Sequence, residues 1–141
     1  MRKKVLSLIT IGVLATIISG CAANRVDLVD TGVLTLDRQR EGKVYIAWSS
    51  AYEQDDGFVI TGVLMRHDHV GSAIKTHVDV TVLSPDGRVL ETVRSNEVYV
   101  PRRITGRGQS LKRFRVHLAN LPPRGSSVRM VSHSGPHKDS A

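Results

Sequence analysis

The sequence predicts an all-β domain, a single antiparallel Ig-like β-sandwich of about seven strands, on three observations. From Lys43 onward apolar and polar residues alternate with period two, and the apolar set is rich in β-branched residues. Turn chemistry of the Gly, Pro, Asp and Asn type interrupts that alternation at short intervals. No stretch after Lys43 sustains a helical period.

Each element has its own signal. Residues 43–52 place Val44, Ile46 and Trp48 on one face and Tyr45, Ala47 and Ser49 on the other. Gln54-Asp55-Asp56-Gly57 is a turn, and residues 58–65 are apolar on both faces, as a central strand requires. Gly62 in its middle marks a bulge or a close backbone approach. Residues 67–73 form a polar loop. Residues 75–83 then send Val78, Val80 and Val82 inward and His77, Asp79 and Thr81 outward. Ser84-Pro85-Asp86-Gly87 is a hairpin signal, and residues 88–100 return as one long or interrupted strand stopped by Pro101. Residues 102–110 are a loop rich in Gly and Arg. Residues 111–118 alternate again, with Phe114, Val116 and Leu118 inward and Arg113, Arg115 and His117 outward. Leu121-Pro122-Pro123 is a corner, and residues 128–133 are the last strand, with Val128 and Met130 on one face.

The N-terminus follows a different logic. Met1-Arg2-Lys3-Lys4 is cationic, Val5 to Ile18 is apolar, and small residues follow, which is the layout of a secretory signal. An uncleaved anchor helix is the competing reading, but Ser19-Gly20 and Asn24-Arg25 end the apolar run early. Ile18-Ser19-Gly20-Cys21 resembles the lipobox of bacterial lipoproteins. That resemblance implies cleavage before Cys21, a diacylglyceryl group on its sulfur and an acyl chain on the new amino terminus, with no other cofactor. Two or more buried chains give stable anchoring, whereas one is marginal. Ala22, where many enteric lipoproteins retained at the inner membrane carry Asp, implies by the same resemblance the outer membrane, facing the periplasm. The expected organisation is a signal peptide at 1–20, a lipidated tether at 21–42, the sandwich at 43–133 and a tail at 134–141. Val33-Leu34-Thr35-Leu36 is the one strand candidate within the tether.

A second resemblance rests on the order of three segments: Phe58-Val59-Ile60-Thr61-Gly62-Val63, Pro85-Asp86-Gly87-Arg88-Val89 and Phe114-Arg115-Val116. This order is similar to small Ig-like domains of bacterial envelope lipoproteins of the FxLYD type, over residues 57–118. It implies a fold and carries no function.

The chain has 141 residues and a formal charge of +7. Removing residues 1–20 leaves 121 residues and a charge of +4, enough for one domain with a core. Cys21 is the only cysteine, so the folded domain has no disulfide and Ig-type inter-sheet bridging is excluded. Basic residues concentrate from Arg94 to Arg129, where Glu97 is the one acid.

Catalytic patterns are missing from the sequence. Gly106-Arg107-Gly108 lacks the third glycine and following helix of a phosphate cradle, and there is no Gly-x-Ser-x-Gly elbow. The lipobox resemblance commits the lone cysteine to lipid, which leaves no thiol for a nucleophile. The expectation is a non-catalytic protein. Two binding chemistries then compete with plain solvation. Arg113 and Arg115, with Arg102, Arg103 and Arg107 in the preceding loop, form a basic strip. Such a strip suits an envelope protein, or the phosphates and carboxylates of anionic lipids and glycans. The same arginines could serve only to keep surface strands soluble and unpaired. Nucleic acid is not an expected partner outside the cytoplasm, and few aromatic residues are available to stack on bases. The alternative is a metal-binding module. His67 and His69 face one side if extended, with His77 on the next strand; the competing reading is solvated loop histidines.

Overall fold

Alternation sends every second side chain to one side of a strand, and two sheets close on those sides. The computed structural model describes residues 25–104 and 111–135, with eight strands and no helix among them. In one sheet β1 (Leu34–Glu41), β8 (Ser126–Ser134), β4 (Ile74–Leu83) and β5 (Val89–Arg94) are neighbours in that order. β6 (Val98–Val100) also pairs with β4, along the part that β5 does not reach. The other sheet is β2 (Val44–Gln54), β3 (Gly57–Arg66) and β7 (Lys112–Leu118), with β3 central. The fold is therefore the predicted all-β sandwich. All its pairings are antiparallel except β1 with β8, which is parallel.

The core lies between the sheets. Phe58, Ile60 and Leu64 of β3 and Phe114, Val116 and Leu118 of β7 meet Val78, Val80 and Val82 of β4 and Val128 and Met130 of β8. A bond between the layers runs from the buried Ser132 Oγ to the Val44 carbonyl, 2.8 Å away. Arg66, 2 % exposed at the end of β3, ties down the loop that follows through its Asp68 carboxylate and the carbonyls of Val70 and Ser72.

Four details depart from the sequence reading. First, the segment expected as a tether contains β1, and Leu28 and Leu34 within it are 2 % and 1 % exposed. Leu28 donates to the Ala51 carbonyl, and Leu34 donates to that of Leu28, so folded structure reaches back well before residue 43. Beyond Leu36, β1 is an edge strand with polar residues on both faces, which removes the alternation that would reveal it. Second, a β-bulge between Ile46 and Trp48 inserts one residue and inverts the strand's parity, so Trp48 faces outward and is 53 % exposed. Gly62 explains how the sheet accepts this. A Cβ there would lie 2.6 Å from both the Trp48 carbonyl oxygen and Phe114 Cε1, so the expected close approach is present. Third, residues 88–100 split into β5 and β6 because the Ser95 side chain enters the ladder, its Oγ accepting from Val78 N at 2.9 Å. Fourth, the expected tail overlaps β8 at Ser134, and Gly135 donates to the Lys75 carbonyl; residues 136–141 lie outside the described residues.

Candidate functional site

The bulge assembles an aromatic column on the outer side of β2. Tyr45, Trp48 and Tyr52 pair across to Met65, Val63 and Val59 of β3. The rows continue onto β7, giving Trp48–Val63–Arg113, Ser50–Thr61–Arg115 and Tyr52–Val59–His117. Exposed arginines surround the column. The Arg25 guanidinium lies 4.8 Å from the Tyr52 ring centre, and that of Arg115 lies 5.9 Å from it. Arg115 also donates to Gln54 Oε1 at 2.6 Å. These side chains cover Tyr52, leaving it 8 % exposed.

At the seam between the sheets, Arg38 of β1 donates to the Ala47 carbonyl at the bulge, 3.1 Å away. Two open hollows flank it. One of about 350 Å³ is lined by Leu36, Arg38, Trp48 and the acids Asp27 and Asp30. The other, of about 300 Å³, is lined by Arg38, Arg40, Tyr45 and His67. Asp27 is already engaged, since its Oδ1 accepts from Val29 N and Asp30 N. Rings and guanidinium groups on one face suit anionic groups attached to an apolar body: arginine pairs with phosphate or carboxylate, and tryptophan settles at interfaces.

The residues singled out from sequence fall in several places. Arg113 and Arg115 share the outer side of β7, as expected. Arg102 and Arg103 follow β6, and Arg103 N donates to the Asp68 carbonyl, which places the pair at the loop after β3. Arg107 and Cys21 lie outside the described residues. His67 stacks on Tyr45 with ring centres 4.2 Å apart, and His69 Nδ1 lies 3.0 Å from the Arg103 carbonyl oxygen. Among the described residues the grouping that could hold a metal joins His77 to Asp79 and His133, not to His67 and His69.

That second cluster lies on the outer side of the larger sheet. His77 of β4 is directly opposite His133 of β8, and their rings are 5.2 Å apart and nearly parallel. Asp79 is two residues beyond His77, on the same face. His133 Nε2 is 3.1 Å from Asp79 Oδ2, and His77 Nε2 is 3.8 Å from Asp79 Oδ1. His133 Nδ1 donates to Glu41 Oε2 on β1 at 2.8 Å. Arg94 of β5 grips Asp79 from the other side, at 2.8 and 3.3 Å. Burial pushes the Asp79 carboxyl up, but the Arg94 hydrogen bonds and the nearby imidazoles together hold it below its usual range.

Sequence reasoning missed that Trp48 and Tyr52 lie on the outer side of β2, and that His133 is a partner of His77. Gly62 signalled a bulge or close approach on β3, but nothing in β2 marked where the extra residue sits. For His133 a signal existed: counting outward from Val128 and Met130 places it on the exposed side of its strand, although not beside β4.

No family model, no curated protein and no solved structure matches this chain.

Proposed function

We propose that the chain is a lipid-anchored, non-catalytic module of a bacterial cell envelope. In this reading it binds an anionic envelope component at the membrane surface through the aromatic–arginine face of the smaller sheet. The component is a lipid or glycolipid headgroup, or an acidic envelope protein lying at that surface. The proposed setting is the outer membrane facing the periplasm, with the acyl chains on Cys21 as the anchor.

One observation carries the reading: Arg25 lies against Tyr52, 4.8 Å from its ring. Arg25 is the fourth residue after Cys21, and an extended chain covers at most about 14 Å over four residue steps. A lipid on Cys21 therefore keeps this face within reach of headgroups. A long tether would leave the partner's location open, whereas one this short ties it to the membrane plane.

Trp48 is the single tryptophan, so its emission reports directly on the face. The test uses a chain starting at Ala22, which retains every described residue, mixed with vesicles of phosphatidylcholine alone or with added phosphatidylglycerol. Binding and a blue shift of Trp48 are expected only with the anionic lipid, weakening as salt rises. Each arginine at such a surface contributes about 1 kcal/mol, so Arg113→Ala with Arg115→Ala lowers affinity about thirtyfold. An acidic protein partner would instead leave both vesicle types unbound and appear as an arginine-dependent cross-link in whole cells. Absence of both results overturns the reading.

A further inference from the structure

The cluster on the larger sheet has the composition and layout of a metal site, and it lies on the opposite layer from the face described above. We propose that His77, Asp79 and His133 bind a divalent transition-metal ion, with zinc as the best match.

The donor set is two imidazoles and one carboxylate, the nitrogen and oxygen ligands that zinc and copper accept. Its spacing is close to what a bound ion requires. Ligand atoms on a tetrahedral zinc lie about 3.3 Å from one another, from bonds of about 2.0–2.1 Å. Here His133 Nε2 stands 3.1 Å from Asp79 Oδ2 and His77 Nε2 stands 3.8 Å from Asp79 Oδ1, and one donor atom from each of the three residues lies within 4.8 Å of the others. Small side-chain rotations close that gap while the backbone stays in register.

The surroundings point the same way. His133 Nδ1 donates to Glu41, which leaves Nε2 directed at Asp79. A carboxylate behind a histidine in this manner orients the ring and raises its basicity towards a metal. Parallel pairing of β1 with β8 produces the arrangement, since it places Glu41 beside His133. Arg94 fixes the Asp79 carboxylate from the β5 side, and each of its oxygens has a further lone pair for the ion. Around the cluster are three carboxylates, Glu41, Asp79 and Glu97, and two cations, Arg94 and Lys75, the latter paired with Glu97 at 2.6 Å. Once His133 gives up its second proton the balance is negative and favours a cation. Metal binding at Nε2 requires its lone pair, so a proton shared between Nε2 and Asp79 leaves as the ion enters. Three protein ligands leave a fourth position for water or an exogenous group.

The test is a calorimetric titration of zinc into the full chain, purified in detergent and stripped with a chelator. Cobalt absorption supplies the spectroscopic readout. One equivalent of zinc and a visible cobalt band of tetrahedral type are expected. His133→Gln and Asp79→Asn each abolish both signals, and Glu41→Gln, outside the ligand set, weakens zinc binding about tenfold to a hundredfold. His67→Ala with His69→Ala leaves stoichiometry and affinity unchanged. Unfolding curves without metal accompany each variant, and Asp79→Asn preserves side-chain volume should His133→Gln fail to fold. Zinc binding that survives in Asp79→Asn or disappears in the His67/His69 variant overturns the proposal, as does a parent chain that binds neither metal.

Discussion

Replacing Arg66 tests how the end of the sandwich is held. The side chain is 1 % exposed, and its planar fork has a partner in every direction. Nε and Nη2 donate to the two oxygens of Asp68 at 2.6 and 2.8 Å, and Nη2 also donates to the Val70 carbonyl at 2.9 Å. Nη1 reaches the carbonyls of Ser72 at 2.7 Å and Val100 at 3.5 Å. Hydrogen bonds to a charged group contribute about 1.5–3 kcal/mol each. Arg66→Met does not lose the full sum. Asp68 keeps contact with water and with Lys43 at 3.5 Å, and the loop carbonyls regain solvent. A net loss of about 3 kcal/mol remains, and Arg66→Lys loses about 2 because an ammonium cannot span the fork. In urea, at a slope of about 1.5 kcal/mol per molar, the Arg66→Met midpoint falls by about 2 M with the slope unchanged. Circular dichroism reads this directly.

The acid limb of stability gives an independent check. The Arg66 hydrogen bond holds the Asp68 carboxyl down from near 3.8 to about 2. A depressed carboxyl stabilises the fold fully above its ordinary value, and that contribution is lost as pH falls towards the folded value. The parent therefore loses stability between pH 3.8 and about 2 through this group, and Arg66→Met loses much less over the same range. The two curves converge at the acid end. Asp79, Asp86 and Glu97 are also held low, so the variant keeps part of the limb. A Met variant within about 0.5 kcal/mol of the parent at neutral pH, or with an unchanged acid limb, refutes the latch.

Two further substitutions probe the features that position the candidate face. Gly62→Ala places a methyl group 2.6 Å from Phe114 Cε1 and from the Trp48 carbonyl, and overpacking of this kind costs about 3 kcal/mol. Phe114→Leu in the same chain restores only part of the melting temperature, because the backbone clash with Trp48 persists. Leu34→Ala removes a side chain that is 1 % exposed and costs about 3 kcal/mol in chemical unfolding. A chain beginning at Lys43 lacks Leu28 and Leu34 and shows no cooperative melt; a folded product from that chain refutes the role given to β1.

What the sequence made legible follows from how far each signal must travel. Val78, Val80 and Val82, or Phe114, Val116 and Leu118, need only a regular strand for their faces to be known, and all six are in the core. Trp48 needed a regular strand too, but the bulge at Ile46 breaks the count, and every later residue of β2 changes side. β1 was legible only at its start, in the strand candidate Val33 to Leu36, because an edge strand past its core contact has no apolar face to display. Counting from Val128 and Met130 puts His133 on an outward face, but its partners Glu41, His77 and Asp79 depend on strand order and register, which alternation does not encode. The parts of this protein with chemical potential are therefore those made by departures from regularity or by long-range pairing. One added residue in β2 brings Trp48 into line with Arg113, and one parallel strand pair sets Glu41 behind His133. Replacing Trp48 and Arg113 dismantles the face on the smaller sheet, whereas the histidine cluster on the other sheet keeps its geometry. The two proposals can thus be tested separately in one molecule.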